Sequence, residues 1–107
     1  MRNYRDLVVW QKAMQIVEEV YALTAKFPAD ERFGLIAQLR RAAVSVPSNI
    51  AEDQARHTSR EFVQFISHAE GSLAEVDTQL TLGNRLGFCL AADTAPVFLL
   101  VEEVRKC

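Results

Sequence analysis

The stretch "RRAAVSVPSNIAEDQARHTSREF", residues 40–62, decides how the rest of the chain is read. Pro47 stands inside a segment that otherwise looks helical, so this is either a loop between two short helices or one helix bent at the proline. The apolar register separates the two. Leu35, Leu39, Ala42, Val46 and Ile50 recur at steps of three and four, and Val46 and Ile50 stay in line with Leu39 across the proline. A loop would lose that phase. The reading is one helix, kinked at Pro47, whose ring removes a backbone hydrogen bond and pushes on the carbonyl of Ala43. Ser45 or Ser48 can hydrogen-bond backbone groups that the proline frees.

Spaced at 100° per residue, this helix has three faces. The five apolar residues above form the core stripe. Gln38, Arg41, Ser45, Asn49, Glu52 and Arg56 form a polar stripe. It reads either as a solvated face, with pairs such as Glu52 and Arg56, or as a ligand or subunit surface involving Ser45, Asn49 and Glu52. Most charged helix faces are simply wet, and spacing leaves both readings open. On the third side Ala37, Val44 and Ala51 recur every seven residues, flanked by Arg40 and Pro47 on one edge and by Ser48 and Ala55 on the other. Small apolar residues in heptad register leave room for another helix. Helix propensity explains the alanines but not Val44, whose branched side chain is a poorer choice on an exposed helix. A single exposed valine is ordinary. A four-helix monomer nonetheless buries only one side of this helix, so a second apolar side, with Ala37, Val44, Pro47 and Ala51, points to self-association.

Outward from this helix the pattern repeats. Leu7, Trp10, Met14, Val17, Tyr21 and Thr24 mark a first helix of about six turns, with Asp6 as its cap and Pro28 ending it. Asp30 is the expected cap of the second helix, with Glu31 in its first turn. Thr58 and Glu61 form a capping box for a third helix, whose inward residues are Phe62, Phe65, Ile66, Ala69, Leu73, Val76 and Leu80. Gly87 closes it as a left-handed cap. A fourth helix of about four turns has Pro96 in its first turn and Val97, Phe98, Val101 and Val104 inward. No strand signal competes, and there is no internal repeat. The expected fold is all-α: an antiparallel up-down-up-down four-helix bundle, a single domain over residues 1–107.

Composition limits the function. Half of the 107 residues are hydrophobic, enough for one core, and the net charge of −2 gives no global basic character. Cys89 and Cys107 lack metal-site spacing and read as reduced thiols of a cytoplasmic protein. The N-terminal stretch "MRNYRDLVVWQKAM" is charged and has no apolar run of signal-peptide length, and no stretch is apolar enough to span a membrane. His57 and His68 do not make the Glu-x-x-His pattern of di-iron bundles. There is no Gly-rich phosphate loop and no nucleophile elbow, so no enzyme, cofactor or metal is expected. Charge is uneven. Residues 40–60 carry Arg40, Arg41, Arg56 and Arg60 against Glu52 and Asp53, a balance of +2, and the remainder sums to −4. One such patch binds nucleic acid poorly, whereas a ring of copies adds phosphate contacts together. The aromatics that single-stranded binding uses are expected in the core. A mildly basic solvated helix end is the plain alternative.

"DLVVWQKA", "VYALTAKFP", "FGLIAQLRRAAVSVPSNIAE", "REFVQFISHAEGSLAEVDTQL" and "RLGF" resemble the four-helix bundle proteins encoded in intervening sequences of bacterial 23S rRNA genes, from about Asp6 to Phe88. The resemblance implies a cytoplasmic bacterial bundle that assembles as a homopentamer. It also implies a relation to the accessory variability protein of diversity-generating retroelements, a basic pentamer that binds nucleic acid and works with a reverse transcriptase. On that basis Arg40, Arg41 and the Ser45–Asn49–Glu52 stripe correspond to the family signature, and Arg40, Arg41, Arg56 and Arg60 are the expected contacts to RNA or DNA. The alternative is a protein–protein scaffold without a nucleic-acid role. The chain departs from the family's "AEGxGR" pattern, with Asp53 and Ala55 in "AEDQAR", and its net charge is negative.

Overall fold

A computed structural model describes residues 3–55 and 59–107, with side chains over 3–55 and 69–107. The described residues form four α-helices and no strand: α1 (Val8–Thr24), α2 (Leu35–Gln54), α3 (Ser59–Arg85) and α4 (Ala91–Lys106), with 3₁₀ turns at Tyr4–Asp6 and Ala29–Glu31. α1 packs against α2 and α4, and α3 against the same two helices. The diagonal pairs α1–α3 and α2–α4 make no comparable contact among the described residues. Lys12 meets Glu103 near one end, and Phe27 stacks on Phe88 near the other, at 5.6 Å between ring centroids. These contacts fit a four-helix bundle. The expected capping box at Thr58 and Glu61, and the side chains of Phe62, Phe65, Ile66, His57 and His68, lie outside the described residues.

α2 runs unbroken through Pro47 as one helix of 20 residues, and Leu35, Leu39, Ala42, Val46 and Ile50 are all buried. Its start differs from expectation. The chain makes a 3₁₀ turn after Pro28, and α2 begins only at Leu35, whose N–H donates to Glu31 Oε1 at 3.0 Å. Glu31, not Asp30, therefore satisfies an orphan donor of the first turn. Gly34 makes room for this, because a Cβ there would lie 2.9 Å from Glu31 Oε1.

α1 also differs. Asp6 belongs to the 3₁₀ turn, which is capped by Asn3 accepting from the Arg5 N–H at 2.9 Å, and α1 starts after Leu7 without a side-chain cap. Its 17 residues make about five turns, not six. The buried stripe is Ala13, Ile16, Val20, Leu23 and Thr24, while Met14 and Tyr21 are exposed and Leu7, Trp10 and Val17 are half-buried. α1 is apolar in two phases, each with three-and-four spacing. Its neighbours α2 and α4 close over the phase that contains Ala13 and leave the other at the edge.

In α3, Ala69, Leu73, Val76 and Leu80 are buried as expected. The helix ends as a Schellman motif. The Phe88 N–H reaches the Gly83 carbonyl at 2.9 Å, the Gly87 N–H reaches that of Asn84 at 3.1 Å, and Gly87 has φ of +78°. Pro96 is exposed and lies in the second turn of α4, not the first; its ring costs the helix one bond, to the carbonyl of exposed Ala92.

Two glycines should respond oppositely to alanine. Gly87→Ala forces a side chain into the left-handed region and lowers stability by about 1 kcal/mol. Gly71→Ala, on the exposed side of α3 with open space around its Cβ, raises stability by about 0.5–1 kcal/mol. Urea midpoints of the two variants, moving in opposite directions from wild type, are the measurement.

Candidate functional site

The three faces of α2 become three environments. The core stripe is buried. The polar stripe is partly covered at its middle. Ser45 and Asn49 are half-buried against α3, where the buried Ser72 Oγ lies 2.7 Å from Ser45 Oγ and accepts from Asn49 Nδ2 at 3.4 Å. Ser45 Oγ also donates to the Ala42 carbonyl at 2.7 Å. With one proton on each hydroxyl, Ser72 donates to Ser45 and Ser45 to the backbone. This part of the stripe is thus a seam between α2 and α3. Gln38 and Arg41 stand exposed at its mouth, beside Glu75 and Gln79 of α3. Glu52 is exposed further along, whereas Asp53 is buried.

On the third face Ala37 and Ala51 are half-buried and Val44 is 40 % exposed. Pro47 is buried within the chain itself, so it offers no side chain to another molecule. Ala37 and Val44 line an open groove together with Tyr21 of α1, Phe33, Ile36, and the arginines Arg32, Arg40 and Arg41. Among the described residues, none that lines it is acidic. Phe33 is 89 % exposed and Tyr21 44 %. Neither was legible as surface. Tyr21 fits a helical stripe that reads as core, and Phe33 sits between a 3₁₀ turn and Gly34, where no periodicity applies. The one available signal was that Phe33 falls out of phase with Leu35 and Leu39.

The two adjacent arginines play different parts. Arg40 Nε donates to Thr24 Oγ1 at 2.8 Å, Nη2 approaches the Tyr21 carbonyl at 3.5 Å, and the guanidinium lies 4.4 Å from the Tyr21 ring centroid. Thr24 is fully buried and its hydroxyl donates to the Val20 carbonyl at 2.7 Å, so Arg40 supplies the donor that this buried oxygen needs. Arg40 is a strut from α2 to α1. Arg41 is exposed. Arg56 and Arg60, the other two expected phosphate contacts, lie outside the described residues and side chains.

Elsewhere the chemistry is quiet. Cys89 and Cys107 are not paired. Burial, then the nearby Asp93 charge, pushes the Cys89 thiol up, so it stays protonated, with its Sγ 3.4 Å from Asn84 Oδ1. Among the described residues no group of three His, Cys, Asp or Glu is placed to hold a metal ion, and no helix is long and apolar enough to cross a membrane.

The strut and its neighbour should separate on mutation. Arg40→Ala removes a charge-assisted hydrogen bond and a cation–π contact and leaves the Thr24 oxygen short of a donor, a loss of about 1–2 kcal/mol. Arg41→Ala, at an exposed site, changes stability by less than about 0.5 kcal/mol. Chemical denaturation of both variants checks this.

None of the curated proteins compared with the chain matches it. The model of one family, described as 23S rRNA-intervening sequence protein, matches residues 5–107. That span takes in all four helices, the Arg40–Arg41 pair and the groove beside them. The chain therefore belongs to the 23S rRNA-intervening sequence protein family.

Proposed function

We propose that this protein is a non-catalytic, self-associating helical bundle, and that the groove between α1 and α2 is where its copies meet. The carrying observation is the open apolar floor of that groove, with Phe33, Tyr21 and Val44 exposed beside three arginines. Aromatic residues and arginine are the types enriched at the centres of protein interfaces. Burying a phenylalanine side chain is worth about 1.5–3 kcal/mol, so an exposed Phe33 forgoes in the single chain what a contact would recover. A homopentamer is the stoichiometry expected of the assembly. The two unpaired thiols suit a cytoplasmic setting.

Val44→Glu places a charge on the groove floor without touching the core. Light scattering should give the monomer mass for this variant and a multiple of it for wild type. An unchanged mass removes the groove from the assembly.

A second reading rests on the same exposed aromatics. Two ring faces beside guanidinium groups form the kind of platform that single-stranded nucleic acid uses, stacking bases on rings and placing phosphates on arginines. Arg41 and Arg32 are its exposed cations, and an oligomer would repeat the patch. Fluorescence anisotropy with single-stranded RNA should then show affinity falling steeply with salt, and falling further in Arg41→Ala. Absence of binding at low salt leaves the scaffold reading alone.

A further inference from the structure

We draw no further inference here: the strongest candidate, the half-open apolar pocket at the end of the bundle where Leu7, Val9, Ile50, Leu73 and Val104 converge from all four helices, carries nothing because nothing in the structure shows what covers it.

Discussion

Continuity of α2 through Pro47 is the constraint on which the other helices depend. α2 makes the most extensive contacts with both α1 and α3, so a break in its middle would misplace one of them. A proline inside a helix costs about 3 kcal/mol against alanine. The offset comes from burial on either side. Leu39, Val46 and Ile50 are essentially inaccessible, and each such side chain contributes about 1.5–3 kcal/mol when removed from water. Those gains need one unbroken phase across residue 47. Two independent short helices could not hold Leu39 and Ile50 on a common core. The proline ring is itself buried, so it adds apolar contact as well as removing a donor.

With α2 continuous, its polar residues are sorted by what each neighbour needs. Thr24 of α1 is fully buried and uses its proton on the backbone of its own helix, which leaves an oxygen that Arg40 satisfies. Ser72 of α3 is buried and is met by Ser45 and Asn49. Polar residues on two sides of α2 therefore serve the fold, one pairing on each flank of the apolar stripe. Arg41 lies between these flanks on the outer surface and has no such task. A stripe that is uniform in sequence is divided in this way into residues spent on folding and residues left for contact.

Much of the fold was legible because helix periodicity is a strong signal wherever only one phase is apolar. α2 and the described part of α3 met that condition, and their buried residues match the pattern. α1 did not. Leu7–Trp10–Met14–Val17–Tyr21 and Ala13–Ile16–Val20–Leu23 are both periodic, and large side chains made the first look like the core when the second is. The choice depends on how closely two neighbouring helices approach, which Ala13 permits and which no local pattern encodes. Helix starts were misread for a related reason. Asp6 and Asp30 are good cap residues, but 3₁₀ turns absorb both and delay the helices by a few residues. The candidate site was half legible: Val44 and Ala37 were found by their spacing, whereas Phe33 and Tyr21 needed three-dimensional placement. Arg40 and Arg41 are indistinguishable in sequence and separate only because Thr24 lies within reach of one of them.

The double phase of α1 also explains why this bundle has an open apolar surface. A helix with two apolar faces at one corner of a four-helix arrangement has only two neighbours, α2 and α4, and they cover one phase. Tyr21 and Met14 are what remains uncovered, and Tyr21 continues onto Phe33, Ala37 and Val44 across the α1–α2 junction. Lone exposed apolar side chains are ordinary, but a contiguous row over two helices with aromatic residues in it is not what a solvated corner requires. The chain's net charge of −2 conceals this, because three arginines gather at that corner.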